Sequence, residues 1–249
     1  MPPLLLAYNK TYYFVFVFKN NSAYPAQQGQ RTAMTAHASH LRLLTRDALI
    51  KTGPVDFAEW NSRPVLGWIM KQRFRMALSL LPPSSGRLLE IGYGSGIFMP
   101  ALASKAEEVY GIDIHPHNVE VARTLANTGV QARLYQGTCE RLPFDSGWFN
   151  AVVAVSALEF IDDLSAAAGE FVRVLAPGGV LVVVTPARSP LADAGLWLLT
   201  GKKAEDDFEG GREAVIPTLL SRFRQERQIR WPMPWLTLYT ALRLRPPNG

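Results

Sequence analysis

The sequence predicts an α/β protein built on a doubly wound, mostly parallel seven-stranded sheet with helices on both faces. Three observations predict it. Short apolar runs such as "RLLEIG", "EVYGIDI" and "FNAVVAVS" alternate with segments whose apolar residues recur at helical spacing. The run "VLVVVTP" is hydrophobic at consecutive positions rather than at every second one, as a strand covered on both faces is. The first run opens into a glycine-rich turn, Gly92-Tyr93-Gly94-Ser95-Gly96, directly before a helical segment.

The elements can be justified in order. Residues 19–56 are polar and mixed, and read as an irregular arm with a helix over His40–Ile50. Beyond Asn61, the residues Leu66, Ile69, Met70, Phe74, Ala77, Leu78 and Leu81 mark one face of a helix. Pro64 suits its first turn and Pro82-Pro83 ends it. "RLLEIG" is the next strand, and "GIFMPALASKA" a helix that tolerates Pro100 in its first turn, where amide donors lack partners. "EVYGIDI" is a strand, followed by a helix from His115 through Leu125. "ARLYQG" and "FNAVVAVS" are strands. Asp162 or Asp163 caps a helix whose Leu164, Ala168, Phe171, Val172 and Leu175 form one stripe, and "APGG" ends it before "VLVVVTP". The tail breaks this rhythm: Leu191–Leu199 and Arg212–Arg222 read as helices, "RQIRW" and "LTLYTALRLR" as two strands, the last alternating as an antiparallel strand near an edge does. Residues 1–60 are therefore an arm and 61–249 the main domain, in which 188–249 supply a substrate-side insert and the final strands.

The totals exclude several classes. A net charge of +5, with both signs interspersed, is too small to indicate nucleic acid. The single cysteine, Cys139, permits no intrachain disulfide, so a reducing cytoplasm is the expected location. The four histidines lie in no metal-ligand motif, so no metal is expected. The apolar start "MPPLLLAYNKTYYFVFVF" is interrupted by Asn9, Lys10 and Thr11 and is too short to span a bilayer; it lacks the basic start and cleavage site of a signal peptide. Two readings of it stand: a β-prone segment that pairs with a sheet edge or another chain, or residues 1–33 lying ahead of a natural start at Met34.

A glycine turn between strand and helix lets the backbone approach a ligand and aims free amides at it. The dinucleotide pattern G-x-G-x-x-G requires a third glycine where this chain has Ile97; its spacing is E-x-G-x-G-x-G, from Glu90 to Gly96. "LLEIGYGSG" resembles the first motif of the class I S-adenosylmethionine-dependent methyltransferases. "VYGIDIHPHNVEVAR" resembles their second motif. "YQGTCERLPFDSGWFNAVVAVSALEFIDD" resembles the third and fourth motifs of the small-molecule branch, which includes the quinone-biosynthesis enzymes, and "EFVRVLAPGGVLVVVTP" resembles their fifth-strand region. The resemblance covers about Leu80 to Pro186. It implies a Rossmann-like fold, S-adenosylmethionine as cofactor with S-adenosylhomocysteine as product, and a small-molecule methyl acceptor; a homodimer is left open.

The resemblance also implies site roles. Asp113, at the end of the second strand, would accept the ribose hydroxyls; the alternative is a helix-capping aspartate. Glu90, inside an apolar strand, needs a partner because an unpaired carboxylate there is costly. The resemblance gives it the amino end of the methionine; the alternative is a glutamate bonded to loop amides. Gly92, Gly94 and Gly96 would line the methionine and ribose, with Tyr93 covering the ligand or packing. Ile114 and Ser156 join this cofactor group, and Gly137-Thr138-Cys139-Glu140 would lie against the adenine. Thr138 replaces the aspartate of the common G-D-A-E form and is a weaker, neutral acceptor. Cys139 also reads as a buried small hydrophobe. Many relatives carry L-x-H after the fourth strand, whereas this chain has Leu158-Glu159-Phe160. Glu159 is the catalytic candidate, as base or as holder of a substrate amine, against a reading as a helix-start acid. Phe160 packs on the cofactor or in the core. Trp231 and Trp235 are candidate walls of an apolar pocket, against plain packing of the tail. Arg222, Arg224, Arg227 and Arg230 suit an acidic substrate, a lipid surface or a solvated edge. The absence of an "NPPY"-type stretch argues against methylation of nucleobase amines. Two rivals remain: a nicotinamide oxidoreductase, opposed by Ile97, and a non-catalytic protein that keeps the fold as a binding or partner module.

Overall fold

The computed structural model describes residues 5–8, 11–14, 41–53, 56, 58–187 and 211–247. The chain forms two compact units, Met1–Ala38 and Ser39–Gly249. In the first, β1 (Leu5–Tyr8) pairs antiparallel with β2 (Thr11–Phe14), so the β-prone segment finds its partner within its own unit.

In the second unit, α1 (Pro64–Leu80) precedes β3 (Ser85–Ile91), α2 (Met99–Leu102), β4 (Ala106–Asp113), α3 (Asn118–Asn127), β5 (Ala132–Gln136) and β6 (Phe149–Val155). Then come α4 (Leu164–Val174), β7 (Leu175–Pro186), α5 (Gly211–Leu220), β8 (Arg224–Met233) and β9 (Leu236–Arg245). The seven strands run in the order β5-β4-β3-β6-β7-β9-β8. The pairs joining β3 to β7 and β5 are parallel; β9 is antiparallel to both β7 and β8. The strand order reverses between β3 and β6, and a crevice opens there at the strands' carboxyl ends.

Consecutive apolar residues are needed because successive side chains point to opposite faces. Leu88, Val153 and Val182 join Phe74, Ala77 and Leu80 of α1 and Val121 and Leu125 of α3 on one face. Leu89, Val152 and Leu181 join Phe171 and Val174 of α4 and Val215 and Leu219 of α5 on the other. No described helix is long and apolar enough to cross a membrane.

Four expectations change. The helix expected over His40–Ile50 is a single 3-10 turn, Arg46–Ala48, because Leu44 is spent docking on the glycine turn, where its amide donates to Ile97 O. The helix after the glycine turn shrinks to Met99–Leu102, since Gly96 and Pro100 delay its start and the chain must enter β4 by Ala106. The next helix starts at Asn118 rather than His115. The His115 amide turns back to Asp113 Oδ1 at 3.3 Å and the His117 amide to His115 Nδ1 at 3.1 Å, which keeps both residues out of the helix. "APGG" does not terminate α4 but lies inside β7, where Leu175 pairs with Phe149 ahead of a register shift. Asp163, not Asp162, caps α4, accepting from the Ala166 amide at 2.9 Å. The expected helix over Leu191–Leu199 lies outside the described residues.

Candidate functional site

The crevice is built first by the backbone. Gly92, Gly94 and Gly96 all have positive φ, which lets the chain turn sharply from β3 towards α2. Two of these glycines do different work. A Cβ on Gly96 would come 2.9 Å from Val121 and 3.3 Å from Leu125, so its lack of a side chain lets α3 pack closely. A Cβ on Gly94 would meet only Thr52 Oγ1, at 3.9 Å, so this glycine leaves open space beside the turn.

Asp113 ends β4 and organises this turn. Its Oδ2 accepts from the Gly94 amide at 2.8 Å, and its Oδ1 accepts from the His115 amide. His115 Nε2 pairs with Gly94 O at 2.9 Å, and the buried ring meets Tyr93 edge-on at 4.9 Å. Asp113 thus ties two loops together while each carboxylate oxygen keeps a lone pair.

Glu90 is buried on β3, with Oε2 lacking a hydrogen-bond partner. Burial, helped by the charge of Asp113 and opposed by Arg73, pushes its pKa up to about 8. Tyr93 is buried against the α1-side core with an unpartnered hydroxyl, held protonated by burial and by Asp113. Ser156, just past β6, has φ 52°, rare for a residue with a side chain; its amide donates to Val184 O at 2.8 Å and its hydroxyl is buried without a partner. Ile114 is 41% exposed directly beyond Asp113. Thr138 and Glu140 are half-buried past β5. Cys139 faces the α4-side core; burial first and the Glu140 charge second push its thiol pKa up, so it stays an inert thiol.

Glu159 follows β6 on a separate turn. It lies in the 3-10 turn Leu158–Phe160, is buried, and neither carboxylate oxygen has a hydrogen-bond partner. Burial pushes its pKa up to about 7 against the lowering effects of its own backbone amide and of Arg73 and Arg212. Burial likewise raises the Tyr239 phenol on β9, where Arg73 and Glu159 act with opposite sign. The charge of Arg73 therefore reaches Glu90, Glu159 and Tyr239 together. Its guanidinium carbon lies 4.8 Å from the Phe74 ring, and its Nε is buried without a partner. Arg73 and Tyr239 are the members of this group that sequence reasoning missed. The signal was present: Arg73 sits three residues after Met70 and four before Ala77, a charge on the apolar stripe of α1. Of the two tryptophans expected to wall a pocket, Trp231 packs edge-on against Trp68, with centroids 5.3 Å apart, whereas Trp235 is 77% exposed at the turn between β8 and β9. Among the described residues no cluster of side chains is arranged to hold a metal ion.

Residues 89–183 match the family described as Methyltransferase domain. The match begins beside Glu90, contains Asp113, Gly137–Glu140 and Ser156–Phe160, and ends inside β7. The chain is 34% identical over 145 residues to the ubiquinone biosynthesis O-methyltransferase of Azorhizobium caulinodans, covering 53% of this chain and 56% of that protein. It is 35% identical over 126 residues to the demethylmenaquinone methyltransferase of Thermus thermophilus, covering 49% and 57%. The chain thus spans about half the length of the curated relatives it matches. The N-methyltransferase NodS of Bradyrhizobium japonicum, solved with S-adenosylhomocysteine, superposes with a TM-score of 0.57 at 23% identity, covering 79% of this chain and 95% of that one, a likeness of fold. Arg73, Tyr239 and the two tryptophans stand outside the matched methyltransferase domain, on the elements that flank it.

Proposed function

We propose that this protein transfers a methyl group from S-adenosylmethionine to a small-molecule acceptor by in-line displacement. One observation carries the reading. In a matched methyltransferase domain, Asp113 and the open side of Gly94 stand at the strand-order reversal, and Glu90, Arg73 and Ser156 nearby each keep a buried polar atom without a partner. The cofactor's functional groups fit those needs. Asp113 would accept from the ribose hydroxyls with its remaining lone pairs. Arg73 would meet the methionine carboxylate, and Glu90 and the Ser156 hydroxyl its amino end. Gly92, Tyr93, Gly94 and Gly96 would line that ligand, Ile114 would cover one face of the adenine, and Thr138, Cys139 and Glu140 would border its edge.

When bound, the sulfonium supplies an activated methyl group and leaves as the neutral thioether of S-adenosylhomocysteine. The protein's share is to hold the acceptor in line and exclude water, which is worth about 7–11 kcal/mol of barrier. Glu159, with a pKa near 7, is poised to take a proton from a hydroxyl or ammonium acceptor, typically a further ~10²–10⁴-fold. The two curated relatives named above carry the names of ubiquinone-biosynthesis and demethylmenaquinone methyltransferases, which supports a small-molecule acceptor over nucleic acid. A cytoplasmic setting agrees with the single buried thiol.

Calorimetric titration with S-adenosylmethionine, S-adenosylhomocysteine and NADH tests the reading. Micromolar binding of the first two and none of the third is expected. Failure of both sulfur nucleotides to bind would overturn it and favour a partner protein that has kept only the fold.

A further inference from the structure

The mouth of the crevice carries an aromatic surface that methyl transfer does not explain. β9 is antiparallel to β7, with Tyr239 opposite Pro186, so the hairpin tip between β8 and β9 projects beyond the carboxyl ends of the parallel strands. Trp235 at that tip is 77% exposed and Met233 37%. Trp68 and Val65, one turn apart at the start of α1, are 57% and 62% exposed. Trp68 touches Trp231 of β8, so the helix start and the hairpin tip form one continuous end of the molecule. Arg63, just before α1, and Arg230, on the strand leading to the tip, are both exposed. Glu59 is exposed in the turn before Arg63, which moderates the basic character of the rim.

We infer that this end docks on an anionic lipid surface, with Trp68 and Trp235 inserting at the headgroup level and Arg63 and Arg230 facing the lipid phosphates. Large exposed aromatics grouped on one end are costly in water and mark an interaction site. Tryptophan suits a membrane interface, because its ring is apolar and its N–H remains wet. The apolar atoms protrude at two points, a helix start and a hairpin tip. Such a shape suits a fluid surface that moulds around it better than a flat protein face, which needs about 800 Å² of complementary area. The charge of the rim selects the lipid: exposed arginines attract anionic headgroups. Docked this way, the crevice opens towards the bilayer and receives an acceptor that partitions into lipid.

Co-sedimentation of the full chain with vesicles of phosphatidylcholine alone, or mixed with phosphatidylglycerol, tests this without reference to methyl transfer. Preferential binding to the mixed vesicles is expected. The Trp68→Ala/Trp235→Ala variant is expected to bind about tenfold more weakly, because insertion scales with buried apolar area. Arg63→Gln/Arg230→Gln is expected to lose the preference for anionic lipid. Both pairs are exposed, and an unchanged melting temperature confirms that each variant folds. Absence of vesicle binding overturns the proposal, as does a tryptophan variant that binds like the parent chain, since residues 1–38 would then carry the affinity. A dimer in solution that the tryptophan variant abolishes, with no vesicle binding, overturns it in favour of a second copy of this chain on the same surface.

Discussion

Asp113 holds two loops together and, in the proposed function, also holds the ribose. It joins the Gly94 and His115 amides, so its removal leaves both donors without their acceptor and removes the proposed ribose contacts. Asp113→Ala is expected to weaken S-adenosylhomocysteine binding by more than about 1.5 kcal/mol by calorimetry, the scale of charge-assisted hydrogen bonds; unchanged affinity in a folded variant would remove the ribose assignment. Glu90 makes a separate prediction through pH. An acid whose pKa is higher in the folded state than in the unfolded chain holds its proton more tightly when folded. Its stabilising contribution is complete below the unfolded value, about 4.5, and is lost as pH rises towards about 8. The unliganded protein should therefore melt at a lower temperature at pH 8 than at pH 5, and Glu90→Gln should flatten much of that fall. A smaller decline should persist from Glu159, whose pKa is raised to about 7. A variant that keeps the full slope would show that Glu90 is ionised in the native protein. Asp113 and Glu90 were legible in the sequence because each breaks an apolar strand. Arg73 breaks an apolar stripe in the same way, but helix α1 lies ahead of the motifs, and nothing in the linear order ties it to Glu90.

At the scale of elements, the glycine turn and α3 depend on each other. Gly96→Ala places a Cβ 2.9 Å from Val121 in a backbone conformation with φ 72°. The two penalties, left-handed backbone strain and overpacking, together cost about 2–4 kcal/mol of folding stability. Gly94→Ala carries only the strain, about 1–2 kcal/mol, and its Cβ enters the open side of the turn. Urea unfolding should rank Gly96→Ala as the less stable variant, while ligand titration should show a larger affinity loss for Gly94→Ala relative to its stability loss. The opposite ranking would mean that Gly96, not Gly94, borders the ligand. Nothing in the linear order separates these glycines: both belong to the same motif, and only Val121 and Leu125, packed from another helix, tell them apart. The same limit applies to α2 and α3. Their apolar spacing was visible, but their true starts follow from Pro100 and from the Asp113 turn, which are settled by where neighbouring strands must begin.

For the whole molecule, the division into Met1–Ala38 and Ser39–Gly249 predicts that the second unit folds alone. A chain begun at Ser39 is expected to melt cooperatively within about 3 °C of the full chain, the shift that roughly 1 kcal/mol produces at this size. It should also bind S-adenosylhomocysteine with unchanged affinity. Loss of a cooperative transition would show that the core including Leu44 and Ala58 also needs the preceding residues.

The sequence by itself determined the α/β architecture, because a strand buried on both faces must be apolar at consecutive positions and a helix at every third or fourth. It also determined the turn at Gly92–Gly96 and the acids at strand ends, because these departures from the apolar pattern need a local reason. Only the tertiary structure decided which groups share the crevice. Arg73 of α1, Glu90 of β3, Glu159 after β6 and Tyr239 of β9 come from four separated segments, and the charge of Arg73 reaches the other three only because the sheet order brings β9 beside β7 and α1 across the same face. The exposure of Trp68 and Trp235 was decided in the same way: only the position of α1 and of the hairpin tip leaves both facing outward.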